Sequence, residues 1–125
     1  MPYDLLAEND RIIASTFEAA LWAKRLYKLK KINVVSSSMV YESTDKFPSV
    51  EGDEMCCPPP RSSYGFQKLA CEYYAKAAKE QYGLDYTIIR PFNCIGVGED
   101  GHNTHVVPDL IRKVMSGEYP LEILV

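Results

Sequence analysis

The sequence has no apolar run approaching the roughly 18 residues that cross a membrane; its hydrophobic residues, 46% of the total, are scattered. A bilayer span is therefore not among the readings. The chain begins Met-Pro-Tyr-Asp, with no basic leader ahead of an apolar stretch, so no secretory signal is read. There is no excess of positive charge: 14 basic against 17 acidic residues give a net charge of -3, the wrong sign for a nucleic-acid footprint. The densest basic cluster, Lys28, Lys30 and Lys31, reads as a helix end, where cations suit the helix dipole. The four cysteines, Cys56, Cys57, Cys71 and Cys94, form no C-x-x-C pair. With only His102 and His105 beside them they make no zinc pattern. They read as reduced thiols of a cytoplasmic protein. A chain of 125 residues holds one domain with a real core and not two.

What is present is an alternation of elements. Leu5, Ile12, Ile13, Phe17, Ala20, Leu21 and Leu26 recur at helical steps and predict one long amphipathic helix over 4–30. Ile32 to Val35 is β-branched and predicts a buried strand, which ends in Ser36-Ser37-Ser38. Pro48, Gly52, Pro58, Pro59 and Pro60 forbid a regular element over 42–62, so that stretch is a long loop. A second helix starts at Ser62 or Ser63, keeps its period through Phe66, Leu69, Ala70, Tyr73, Tyr74, Ala77 and Ala78, and stops at Gly83. Tyr86 to Ile89 predicts a second strand, ended by Arg90-Pro91. A third helix over about 107–116 has Pro108 in its first turn and Gly117 at its end. Leu121 to Val125 begins a further apolar strand. Helices alternating with buried strands argue for an α/β protein with a parallel sheet. The opening helix needs a sheet to cover, and the last strand is unfinished. Both read as marks of a piece of something longer.

Tyr64 and Lys68 stand four residues apart on the second helix and share a face. A phenol ordinarily loses its proton near pH 10, and a neighbouring ammonium favours the phenolate. The pair can thus serve as a proton acceptor for a hydroxyl near neutral pH. Spacing alone is weak evidence. Nine tyrosines and nine lysines give about 0.65 such pairs by chance, and Tyr27 with Lys31 is a second one. Context separates them. Ligands of open α/β sheets bind beyond the carboxyl ends of the strands. The first strand delivers three serines there, and the second delivers Arg90-Pro91-Phe92-Asn93. Ser37, Tyr64 and Asn93 are therefore expected around one crevice.

These segments carry a resemblance. Val34-Val35-Ser36-Ser37-Ser38-Met39-Val40-Tyr41 resembles the strand-end serine motif of the extended short-chain dehydrogenases. Ser62-Ser63-Tyr64-Gly65-Phe66-Gln67-Lys68 resembles their Y-G-x-S-K helix, and Arg90-Pro91-Phe92-Asn93-Cys94-Ile95-Gly96 their R-x-F-N-x-x-G segment. Glu8-Asn9 resembles the Asn that opens the helix before the serine strand. The likeness runs through nearly the whole chain, in order. It identifies the chain as a member of the NAD-dependent epimerase/dehydratase group, the kind that includes UDP-glucose 4-epimerase.

The resemblance implies part of a Rossmann-type doubly wound parallel sheet with flanking helices, incomplete, running into the start of a substrate domain at about 94–125. It implies that Ser37, four residues before Tyr41, hydrogen-bonds the sugar oxygen that becomes a ketone, with Ser38 as a helper. Tyr64 would move the hydroxyl proton. Lys68 would lower the Tyr64 pKa and bind the nicotinamide ribose. Asn9, Ser36, Pro91 and Phe92 would lie against the cofactor, NAD or NADP. Ser38, Asn93, His105 and Val106 would hold the nucleotide-sugar substrate. Read apart from the resemblance, the same serines only end a strand and cap a turn.

The family's dehydratases carry an acid at the positions of Ser38 and Met39, and its reductase-epimerases a Cys at that of Met39. Neither is here, so an epimerase is expected, with a dehydratase, a reductase or a non-catalytic dinucleotide-binding or dimerising module as the alternatives. Gln67 replaces the usual Ser; it is expected to lie beside the Lys68 face and to be tolerated. The G-x-x-G-x-x-G turn that binds the NAD diphosphate is not found in these residues. Gly96-Val97-Gly98-Glu99-Asp100-Gly101 is flanked by acids and reads as a loop. The chain by itself is therefore expected to be inactive. The family's dimers form through helices equivalent to 4–30 and 62–82, so a homodimer is expected, with neither nucleic acid nor membrane as partner.

Overall fold

The computed structural model describes residues 2–98 and 105–121. In chain order it contains helix α1 (Pro2–Tyr27), strand β1 (Lys31–Val35), a 3-10 turn at Ser38–Tyr41, another at Asp53–Met55, helix α2 (Ser63–Tyr82), strand β2 (Asp85–Ile89) and helix α3 (Val106–Met115). Of the expected last strand, residues 122–125 lie outside the described residues. The chain divides into two compact units, Met1–Phe92 and Asn93–Val125.

The first unit is built on a parallel pair of strands. Lys31 pairs with Asp85 and Val35 with Ile89. The pairing runs past the ladder, with Ser36 N–H donating to the Ile89 carbonyl (2.8 Å) and Ser38 N–H to that of Pro91 (3.1 Å). Parallel strands need a crossover connection; the 42–62 loop and α2 provide it. Phe17 of α1, Val34 of β1, Ala75 and Ala78 of α2, and Leu84 form the buried core. The Phe17 ring stacks on Tyr74 at 5.8 Å. Between α1 and β1 an apolar groove of about 420 Å³ is lined by Ile12, Ile13, Phe17, Ile32, Val34 and Cys71, among others.

Several boundaries differ from expectation. α1 ends at Tyr27, not at residue 30, because Lys28 takes a left-handed conformation (φ 58°) and Leu29 N–H turns back to the Ala23 carbonyl at 3.4 Å. That is the usual helix-stop geometry, held here by a residue other than Gly. Lys31 then starts β1, so Tyr27 and Lys31 do not share a helix face. The 42–62 loop is not wholly irregular: Gly52 (φ 100°) opens the 3-10 turn at Asp53–Met55. α2 begins and ends where the sequence predicts. Ser62 caps it by accepting from Gly65 N–H at 3.0 Å, and Gly83 (φ 66°) closes it.

Of the periodic residues of α2, Ala78 alone is among those it buries. Phe66, Tyr73 and Tyr74 remain exposed, while Gly65, Gln67, Glu72, Ala75 and Ala78 face inward. Small side chains let the helix axis approach the sheet. The second unit holds α3, whose Asp109 bonds Lys113 at 3.1 Å and also pairs with Arg112, both on one helix face. No helix of the described residues is long and apolar enough to cross a membrane.

Candidate active site

β1 ends by carrying its serines to the first turns of α2. Ser37 is extended (φ -159°) and caps the first 3-10 turn: its Oγ accepts from Met39 N–H at 3.2 Å. This leaves its own O–H to donate elsewhere. Gly65 sits against that turn. A Cβ there would lie 2.7 Å from the Met39 carbonyl oxygen and 2.8 Å from Pro60 Cβ. The glycine after Tyr64 is thus what lets the serine turn touch α2. Glu42 fastens the same junction by accepting from Ser62 N–H (2.9 Å) and Ser62 Oγ–H (2.8 Å).

Tyr64 is the second residue of α2 and half exposed. The Lys68 ammonium lies 5.7 Å from the centre of its ring and donates to the Val35 carbonyl at 2.9 Å. Lys68 thus joins α2 to the last residue of β1, one position before the serines. Two further N–H donors remain on the ammonium. Pro91 meets Ser38 through its carbonyl, and Phe92, 59% exposed, stacks on Tyr41 at 6.4 Å. Ser36 to Ser38, Tyr64, Lys68, Pro91 and Phe92 are therefore gathered at the carboxyl edge of the sheet.

Ser36 has a partner of its own: its buried hydroxyl donates to Glu72 Oε1 at 2.5 Å. That bond places Ser36 in a protein network. Asn9 does not open its helix; it lies inside α1 and is partly buried. Its neighbour Asp10 accepts from Gln67 Nε2 at 3.0 Å, and the Leu6 carbonyl accepts from the same amide at 3.3 Å. Gln67 is accordingly more than a tolerated departure. It is buried and bridges α2 to α1, with its own Oε1 lacking a hydrogen-bond partner among the described residues. Asn93 is exposed in the second unit, where His105 stands at the N-cap of α3 and Val106 is its first residue.

Sequence reasoning misses the network centred on Arg90. Its guanidinium grips Glu72 with two bonds, Nε to Oε1 at 2.8 Å and Nη2 to Oε2 at 2.7 Å. It also meets Glu54 at 2.8 Å, donates to the Tyr41 hydroxyl, and lies 5.1 Å from the Tyr41 ring centre. The bonds from Glu72, against the cost of burial, push the Arg90 pKa above its ordinary value. Burial would raise the Glu54 carboxyl, but the Arg90 bonds outweigh it and hold it below the usual carboxylate range. Burial, only partly offset by Arg90, raises the Tyr41 phenol, so Tyr41 stays a neutral hydroxyl. A cleft of about 420 Å³ opens beside this network, lined by Tyr41, Glu54, Lys76, Arg90 and Phe92, among others. The sequence signal existed: Glu72 follows Lys68 by one turn, on a helix face that also carries Gly65, Ala75 and Ala78.

Comparison with known proteins adds a family. The NAD dependent epimerase/dehydratase family matches residues 5–125. A rice protein (Oryza sativa subsp. japonica) carrying the name putative GDP-L-fucose synthase 2 is 31% identical over 116 residues, which are 90% of this chain and 33% of that protein. A UDP-N-acetylglucosamine 4-epimerase from Methanobrevibacter ruminantium M1, solved with UDP-N-acetylmuramic acid, superposes with a TM-score of 0.70 at 33% identity, over 85% of this chain and 34% of that one. A UDP-glucose 4-epimerase from Brucella ovis, solved with NAD, superposes with a TM-score of 0.64 at 29% identity, over 91% and 35%. The chain spans about a third of the length of each.

Proposed function

The chain belongs to the NAD dependent epimerase/dehydratase family, and from that premise we propose that its residues supply the proton-handling part of a nucleotide-sugar epimerase. The observation that carries the reading is the gathering of Tyr64, Lys68 and Ser37 at one sheet edge, with Lys68 bonded to Val35. Tyr64 accepts the proton of a sugar hydroxyl and later returns it. Lys68 steadies the phenolate by its charge. Ser37 donates its O–H to the sugar oxygen as it gains carbonyl character.

The exposed Phe92 ring and the two remaining Lys68 donors fit the nicotinamide and ribose of NAD, and Pro91 and Asn9 are assigned to the same cofactor. NAD, when bound, supplies the hydride acceptor and donor. Ser36 is kept on the cofactor side, because Glu72 takes only the proton of its hydroxyl and the oxygen can still accept. The diphosphate half has no glycine-rich cradle in these residues, so this chain alone holds NAD weakly and does not turn over. Micromolar binding by isothermal titration would contradict that.

Ser38, Asn93, His105 and Val106 are assigned to the nucleotide-sugar, and residues from about 94 to 125 to the start of the substrate domain. Ser38 and Met39 offer no carboxylate for a dehydratase, and Met39 no thiol for a reductase-epimerase; both readings stay behind the epimerase one. A non-catalytic module would have no need of Tyr64 and Lys68 together. The four free cysteines suit a reducing cytoplasm. The exposed apolar residues of α1 and α2 suit a homodimer built on those helices.

The test is interconversion of UDP-sugars by a polypeptide that joins these residues to a G-x-x-G-x-x-G segment, followed by proton NMR. Replacing Tyr64 by Phe should slow it by about a hundredfold to ten-thousandfold. Undiminished turnover by that variant would refute the assignment.

A further inference from the structure

Glu72 has no part in the proton transfer, yet it is the only charged side chain among the buried described residues, with 0% of it exposed. Its carboxylate takes three hydrogen bonds. Oε1 accepts from Ser36 Oγ–H at 2.5 Å and from Arg90 Nε–H at 2.8 Å, and Oε2 accepts from Arg90 Nη2–H at 2.7 Å. Each partner directly precedes a site segment: Ser36 comes before Ser37, and Arg90 comes before Pro91 and Phe92. Glu72 itself stands one helical turn beyond Lys68 and two beyond Tyr64. One carboxylate therefore ties both strand ends to the helix that bears the phenol and the ammonium.

A buried ion pair is a poor source of stability. Well-packed apolar groups of the same volume often do as well or better, whereas breaking the pair is costly. What the bonds give here is direction. They join the ends of β1 and β2 to α2, and two bonds between the strand ends, Ser36 to Ile89 and Ser38 to Pro91, lie beside them.

We infer that Glu72 is a positioning residue, which acts through Ser36 and Arg90 to set Ser37 and Phe92 against the Tyr64–Lys68 face. The meaning of those positions rests on the epimerase reading; the mechanical part does not.

Amide hydrogen exchange on the 125-residue chain tests the mechanical part. In Glu72→Gln, and in Ser36→Ala, the Ser36 and Ser38 amides should exchange about tenfold faster or more. The core amides of Phe17 and Ala78 should keep their protection. Ser36→Ala removes one hydroxyl and leaves the Arg90–Glu72 pair whole, so it remains informative if Glu72→Gln does not fold. Unchanged exchange at Ser36 and Ser38, or a uniform rise across the core, would overturn the inference.

Turnover of the joined polypeptide separates the two claims. Ser36→Ala should lower kcat by about a hundredfold with KM nearly unchanged, the cost of a misplaced reacting group. Full kcat in Ser36→Ala beside a dead Tyr64→Phe sinks the positioning role. A fully active Tyr64→Phe sinks the epimerase reading and leaves the exchange result standing.

Discussion

At Gly65 the serine turn and α2 come as close as backbone allows. An added methyl would meet a carbonyl oxygen at 2.7 Å, and that oxygen is backbone of the 3-10 turn at Ser38–Tyr41. Gly65→Ala should therefore cost about 1–3 kcal/mol in urea unfolding, as overpacking does, despite the better helix propensity of Ala. Glu42, fixed by the Ser62 backbone and hydroxyl, has a carboxyl held below its ordinary value of 4.5. A depressed folded pKa means that its contribution is whole above 4.5 and is lost as pH falls through the lower folded value. Urea midpoints should drop over that acid range, and Glu42→Gln should flatten part of the drop. At this scale the sequence is informative where partners share a helix. Tyr64 and Lys68 lie one turn apart, so their meeting is readable. Glu72 and Arg90 meet across α2 and the end of β2, a contact made by the fold rather than by spacing. Gln67 escapes sequence reasoning for the same cause: its face is set by where α1 lies.

Among the elements, α2 is readable at both ends because a serine cap and a glycine stop have local causes. The end of α1 is not, since a lysine in the left-handed region carries no signature. That conformation costs an L-residue about 1–2 kcal/mol, of which Gly is free. Lys28→Gly should thus stabilise the chain by about 0.5–1 kcal/mol, after the added freedom of Gly in the unfolded chain, seen as a higher melting temperature in calorimetry. The outward face of α2 is readable as apolar but not as exposed. Phe66, Leu69, Ala70, Tyr73, Tyr74 and Ala77 line one open surface depression. The inward face uses alanine and glycine to let α2 approach the sheet, so helical period and burial part company.

For the molecule as a whole, that exposed stripe argues for self-association. Static light scattering should give twice the 14.2 kDa chain mass at high concentration, and Phe66→Asp with Tyr73→Asp should return the monomer. A strict monomer for the unmodified chain would end the dimer proposal. The α/β class is legible from alternation alone, because strands joined through a helix pair in parallel. The division between Phe92 and Asn93 has no local signal of that kind, since it depends on which residues pack together; the expected boundary near 94 comes from the resemblance. One consequence of the parallel register concerns time. Lys31 comes to lie beside Asp85 only after the whole 42–62 loop has been crossed and α2 has docked. The ladder cannot zip from a local hairpin, and such distant closures slow folding. The arrangement at the sheet edge therefore depends on contacts far apart in the chain, and the Ser38 to Pro91 bond needs the crossover to be closed.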